Sequence, residues 1–173
     1  RDLMSEAERE ALGTLALIPA GFTAAVARSA ANASTFFLLA LLERSLIRRE
    51  GERYTVHAAI AERYREGLAD PAGARRRVAA AFSELARSLE NLPGKERTTR
   101  GYRTADSERP NLASALREVA TSGDEQAAWP LVRLLRGYLD VRGWARAGLD
   151  LFLKVDELLP PRTGPELRAW VWE

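Results

Sequence analysis

Cysteine is absent from the 173 residues, which excludes a disulfide framework and any thiolate metal site and fits a reducing, cytoplasmic setting. Histidine occurs once, at His57, so no pair of imidazoles exists to seat a metal, and the acidic residues show no metal-ligand spacing. No Gly-x-x-x-x-Gly-Lys-Ser/Thr loop is present to cradle phosphates. Lysine is scarce, with Lys95 and Lys154 the only two among 26 basic residues. Long apolar runs are missing too: the longest, Phe36 to Leu42, has the length of a buried helix and not the roughly 18–20 residues of a membrane span. No leader peptide is legible, because Arg1-Asp2-Leu3 runs straight into an amphipathic pattern. Together these absences leave catalysis without a foothold, and the chain is expected not to be an enzyme in itself.

What is present is a core. Hydrophobic residues make up 46% and charged residues 29%, a globular balance suited to one large or two small domains. The basic residues are nearly all arginine, and alanine and leucine are abundant, which suggests a high-GC genome. The formal charge of +2 is unevenly spread: residues 1–70 hold 9 basic and 10 acidic side chains, residues 71–110 hold 9 and 5, and residues 111–173 hold 8 and 9. No segment carries the concentrated positive charge that a nucleic-acid-binding face needs. Position 1 is not methionine, and Thr163-Gly-Pro-Glu166 resembles a capping box opening a helix with no stop signal by Glu173. The chain is therefore expected to be a piece of a longer protein.

Ser5-Glu-Ala-Glu8 is a capping box, and Leu12, Leu15, Ala16 and Ile18 place a helical apolar face before Pro19. Ala20 to Thr23 form a turn, with Thr23 capping a helix from Ala24 to about Ala31. Asn32 to Ser34 cap a third helix carrying Phe36, Phe37, Leu38, Leu39, Leu41, Leu42 and Leu46. The period then changes to two: Leu46 to Arg49, a turn at Glu50-Gly51-Glu52, and Arg53 to Val56 predict a β-hairpin. From His57 the helical period returns through Ile60, Ala61, Tyr64 and Leu68. Three helices, a hairpin and a fourth helix make a winged helix-turn-helix shape, assigned to residues 1–69.

Residues 70–173 are mainly α. Asp70-Pro71 opens a helix carrying Val78, Phe82, Leu85 and Leu89, which stops at Leu92-Pro93-Gly94. Lys95 to Arg103 is polar and is expected to be an exposed loop or hinge. A helix follows from about Asp106 to Gly123, with Pro110 in its first turn and Leu112, Leu116 and Val119 buried. Asp124 caps the next helix, with Trp129, Leu131, Leu134, Leu135, Tyr138 and Leu139 inward and Pro130 kinking or restarting it. After Gly143, the face of Trp144, Leu149, Phe152, Leu153, Val155 and Leu158 completes an antiparallel hairpin ending at Pro160-Pro161. The step from Asp124 to Thr163 is repeat-like, somewhat longer than the roughly 34 residues of a tetratricopeptide unit. A helical linker followed by the start of a tetratricopeptide-like array is the expected architecture.

Leu15 to Phe22 (Leu-Ala-Leu-Ile-Pro-Ala-Gly-Phe), Leu38 to Ile47 (Leu-Leu-Ala-Leu-Leu-Glu-Arg-Ser-Leu-Ile) and Gly51 to His57 (Gly-Glu-Arg-Tyr-Thr-Val-His) resemble the winged helix that follows the nucleotide-binding core of STAND-class, NB-ARC-like ATPases. Glu108 to Leu116 (Glu-Arg-Pro-Asn-Leu-Ala-Ser-Ala-Leu) resembles the segment opening the helical region in their MalT-like and AfsR-like bacterial members. The likeness covers roughly residues 5–160. It implies a transcriptional regulator in which this region couples a nucleotide-binding core to a C-terminal helical-repeat sensor. It implies ADP or ATP for the parent protein and no cofactor held by this region alone. The family's Met-His-Asp-like motif, whose histidine contacts the ADP β-phosphate, falls on Val56, His57 and Ala58, with alanine in the acidic position. His57 is thus the candidate nucleotide contact, and an imidazole at a helix start suits an anion.

Two other functions stay open. In a DNA-binding winged helix the reading helix is Ser34 to Leu46, whose charged groups are Glu43 and Arg44 alone; base readout needs several polar side chains on an open face. The hairpin tip, Arg48 to Arg53, mixes signs, so DNA contact is disfavoured. A helical adaptor for peptides requires an exposed aromatic groove around Tyr138 and Trp144. Arg75-Arg76-Arg77, the one basic run, is a solvated helix start or faces an acidic protein partner. Trp129 and Trp144 are expected in the core. Trp170 and Trp172 stand two apart on one helix, so at least one is expected to be exposed or to make an oligomer contact.

Overall fold

The computed structural model describes residues 4–143 and 145–172. The Ser5 hydroxyl accepts the Glu8 N–H at 3.2 Å, and the Glu8 carboxylate accepts the Ser5 N–H at 2.7 Å. That is the expected capping box, and α1 (Glu6–Ala16) follows it. Its two hydrogen bonds with Ser5, the backbone one foremost, hold the Glu8 carboxyl below the usual range. Thr23 caps α2 (Ala24–Ala31), and Ser34 caps α3 (Thr35–Glu43) by accepting the Phe37 N–H at 3.1 Å. Strands β2 (Ile47–Glu50) and β3 (Arg53–Val56) pair antiparallel across Gly51-Glu52, from Ile47↔Val56 to Glu50↔Arg53.

A third strand was not foreseen. Phe22 and Thr23, expected only as a turn, form β1 and pair with β3 to give the sheet order β1-β3-β2. Two residues are too few to show a period of two, and the pairing is fixed instead by the stacked rings of Phe22 and Tyr54, 6.1 Å apart. Helix α4 (Ala58–Glu66) then packs against α1. Gly13 permits the approach: a Cβ there would lie 2.6 Å from the Tyr64 carbonyl oxygen and 2.7 Å from Leu68 Cδ2.

The rest is helical: α5 (Pro71–Glu90), a short α6 (Gly94–Glu96), a π turn over Arg97–Gly101, α7 (Tyr102–Ser122), α8 (Glu125–Arg142), α9 (Ala145–Leu158) and α10 (Pro165–Trp172). The chain is mainly α with one small antiparallel sheet. It divides into two compact units, Arg1–Ala81 and Phe82–Glu173. In the second, α7 packs on α8 and α9, α8 on α9 and α10, and α9 on α10. Leu112, Leu116, Leu131, Leu135 and Tyr138 are fully buried there. The Tyr138 hydroxyl donates to Asp106 Oδ1 at 2.8 Å, and Arg142 grips both oxygens of the same carboxylate. Burial foremost, then the bond to Asp106, pushes the Tyr138 phenol up to about 12.

Several expectations are corrected. Lys95 to Arg103 is helix, not loop: Thr99 donates to the Lys95 carbonyl at 2.9 Å and Arg100 pairs with Glu96 at 3.1 Å. Such local polar bonds stabilise a helix without leaving an apolar period. Helix α7 therefore starts at Tyr102, and Pro110 lies in its interior on the exposed side, where water can take the place of the missing N–H donor. On α9 the packed face is offset from the expected one: Leu151 and Val155 are buried, whereas Leu149 and Leu153 are exposed, so of the expected residues that are described Val155 alone is buried. The Thr163 hydroxyl is buried without a partner among the described residues, so no capping box forms there. The Gly164 N–H instead donates to Glu125 Oε1 at 2.7 Å.

Two predictions follow from this packing. Gly13→Ala forces a side chain against backbone, and urea denaturation should show a loss of about 1–3 kcal/mol; an unchanged midpoint would refute the close approach. For Tyr138 the sign comes from the raised pKa. An unfolded phenol titrates near about 10, so between there and about 12 the unfolded chain releases its proton first and stability falls as pH rises. Tyr138→Phe should cost about 1–3 kcal/mol at neutral pH. It should then lose less stability than the parent between about pH 9 and about pH 11, as read from urea midpoints.

Candidate functional site

His57 sits at the junction of β3 and α4, as the N-cap residue of that helix. Its backbone is well held: the N–H donates to the Leu46 carbonyl at 3.3 Å, and the carbonyl accepts the Ile60 and Ala61 N–H groups, each at 2.9 Å. Its side chain makes no capping bond, and the residue is exposed, as is Ala58 beside it. The arrangement is an anchored backbone presenting a free-standing imidazole at the positive end of a helix dipole. Chemically it can donate a hydrogen bond to an anionic oxygen. Among the described residues, no group of three or more His, Asp or Glu side chains is placed to hold a metal ion.

The second feature of this unit is the outer side of α3. Leu38 and Leu41 are buried, but Phe36 is 85% exposed and Leu39 45%. Residues 36, 39 and 43 follow one another along one side of a helix. The run from Phe36 to Leu42, expected to be buried, is thus buried on one side only. A helix apolar around its whole circumference offers no polar counter-face from which the outside could be read. Ser34, Thr35, Glu43 and Arg44 are all exposed, the openness that a DNA-reading helix requires. They share that surface with Phe36 and Leu39, which offer bases no hydrogen bonds. Beside it, an open cleft of about 490 Å³ is lined by residues of α1, α2 and the start of α3, including Thr14, Ala30, Asn32 and Phe37.

Other sequence candidates fall apart on inspection. Arg75, Arg76 and Arg77 are exposed, and Arg77 is engaged by Glu10 at 3.2 Å. Tyr138 is fully buried against Asp106, so it cannot line a peptide groove; Trp144 lies outside the described residues. Trp129 is half-buried and meets Trp170 edge-on, with ring centroids 5.9 Å apart, and Trp170 is 39% exposed. In the Glu108 to Leu116 segment, Glu108 and Asn111 are 2% and 1% exposed, and the Asn111 amide donates to Glu108 Oε2 at 2.6 Å. Those two residues hold α7 in its core and are not available to a ligand.

No family model, curated protein or solved structure matches the chain.

The exposure of Phe36 predicts that Phe36→Ser shifts stability by no more than about 0.5 kcal/mol, whereas Leu38→Ala, on the buried side of the same helix, costs about 2–5 kcal/mol. Paired urea titrations check this. Equal losses would mean that Phe36 is covered in solution.

Proposed function

We propose that the chain is the winged-helix and helical-linker region of a STAND-type bacterial transcriptional regulator, relaying conformational change between a nucleotide-binding core and a C-terminal helical-repeat sensor. The observation that carries this reading is the outer side of α3. Where a DNA reader needs hydrogen-bonding groups, α3 presents Phe36 and Leu39, a surface suited to packing on protein. The element order supports it further: three helices, the sheet β1-β3-β2, and α4 returning to α1. So does the packing of successive helices from α7 to α10, each on its neighbour, with α7 also on α9 and α8 on α10. That pattern is the one a tetratricopeptide-like array requires.

In this reading the outer side of α3 rests on the nucleotide-binding core, and His57 reaches the β-phosphate of ADP from the start of α4. The contact favours the closed state. A ligand bound to the sensor repeats shifts the closed and open populations by its differential affinity for them. The region binds nucleotide only with the core attached, because one imidazole at a helix start offers too few contacts for an affinity of its own. The uncovered polar residues Ser34, Thr35, Glu43 and Arg44 favour the second reading, a winged helix that contacts DNA itself.

Calorimetry of ADP and ATP binding to the protein carrying its nucleotide-binding core, and to its His57→Ala variant, separates these. The relay predicts ADP binding weakened by about 1–3 kcal/mol in the variant, the cost of a lost hydrogen bond to a charged group, and no binding to residues 1–173 alone. Unchanged ADP affinity would make His57 a structural residue. Salt-dependent binding of duplex DNA by residues 1–173, lost on Arg44→Ala, would establish the DNA reading in its place.

A further inference from the structure

A cleft of about 260 Å³ lies within the second unit, lined by Glu90, Arg97, Tyr102, Arg133, Arg136 and Trp170, with Leu134, Gly137 and Asp140 completing its wall. We propose that this cleft binds a small organic anion, a carboxylate or phosphate monoester about the size of a single ring. Neither the relay nor His57 enters this site, so it stands or fails separately from the function proposed above.

Three guanidinium groups converge here from two segments, Arg97 from the π turn and Arg133 and Arg136 from α8. Arg133 lies against two indoles that touch each other, 5.3 Å from the Trp129 centroid and 6.0 Å from that of Trp170. Arg136 lies 5.6 Å from the Trp170 centroid and donates to the Trp170 carbonyl at 2.8 Å, which leaves most of its five donors unused. Among the described residues, Arg97 and Arg133 make no ion pair within 4.0 Å. Cation–π contact fixes the direction of a guanidinium without neutralising it.

The hydroxyl of Tyr102 adds an uncharged donor. Tyr102 is 6% exposed, its oxygen has no hydrogen-bond partner among the described residues, and it lies directly over Gly137, within 2.9 Å of where a Cβ would stand. Solvent reaches that oxygen at the cleft wall, so it is open to donate to a ligand there. The π turn explains how Arg97 joins it. The Tyr102 N–H bonds to the Arg97 carbonyl, so the two residues stand one turn apart; in a straight α-helix residues five apart point about 140° from each other. π turns inside helices are frequent at functional sites.

Glu90 and Asp140 line the same cleft. Burial raises the Glu90 carboxyl against the opposing pull of Arg133 and Arg97. It is therefore a negative charge within electrostatic reach of Arg133 and Arg97 that opposes a second anion in the cleft. The cleft lies just below the roughly 300–1,000 Å³ of sites for drug-sized ligands, a size that suits a small ligand. Leu134 and the indole of Trp170 supply the apolar wall for the body of the ligand.

The test is titration of the 173-residue protein with phenyl phosphate, phenylacetate and, as the neutral control, benzyl alcohol. It is followed by NMR of the Trp129 and Trp170 indole N–H and Arg133 Nε–H signals. At least one anion should saturate these signals below about 10 mM while benzyl alcohol does not; which of the two binds more tightly identifies the head group. Arg97→Ala and Tyr102→Phe change an exposed residue and one hydroxyl, respectively. Each should weaken binding about tenfold with the thermal midpoint near that of the parent. Glu90→Gln, which removes the opposing charge, should tighten it. Absence of saturation by both anions, shifts confined to other signals, or unchanged affinity in both weakening variants would overturn the proposal.

Discussion

The first unit depends on the absence of a side chain at residue 13. Helix α4 can lie against α1 only because nothing stands between Gly13 and the Tyr64 carbonyl. That contact closes the three-helix cluster over the sheet. Close-packed interiors transmit such constraints because they have no slack to absorb an added methyl group.

In the second unit, polar groups are used sparingly and in pairs. Asp106 receives the Tyr138 hydroxyl and both arms of Arg142, and Glu108 receives the Asn111 amide. The Asp106 bonds join α7 to α8 and fix two adjacent helices in a register that hydrophobic packing alone would leave unspecified. Glu108 is buried and matched to a donor, which is what makes its removal from water tolerable. The cleft at Arg133 departs from this economy, since donors outnumber acceptors there.

Much of the fold was legible because its signals are local. Ser5, Thr23, Ser34 and Asp70 each accept the amide N–H that their position predicts, and Gly123 and Gly143 end their helices with positive φ. The hairpin around Gly51 declared itself by a change of period. What escaped was whatever depends on distant partners. β1 exists because β3 lies beside it. The helix over residues 95–101 is built from threonine and arginine bonds that leave no apolar stripe. For α3 and α9 the sequence holds more apolar residues than the structure buries, and no periodicity distinguishes an inward leucine such as Leu151 from an outward one such as Leu149. Of the site, the position of His57 could be read directly. The convergence of Arg97, Tyr102, Arg133 and Trp170 spans too much sequence to be seen, although Trp129 and Arg133, four apart on one helix, were a hint.

The way α7 to α10 pack, each on its neighbour with α7 also on α9 and α8 also on α10, has an evolutionary consequence. Where every element answers mainly to the adjacent one or two, a hairpin can be gained, lost or exchanged without disturbing the remainder, since stability is then close to a sum of nearest-neighbour interfaces. Selection can therefore alter the length and surface chemistry of such an array in steps of one hairpin, while the older turns keep their packing. A region organised this way can diversify in its surface faster than the first unit, in which a single methyl group at residue 13 is enough to be felt.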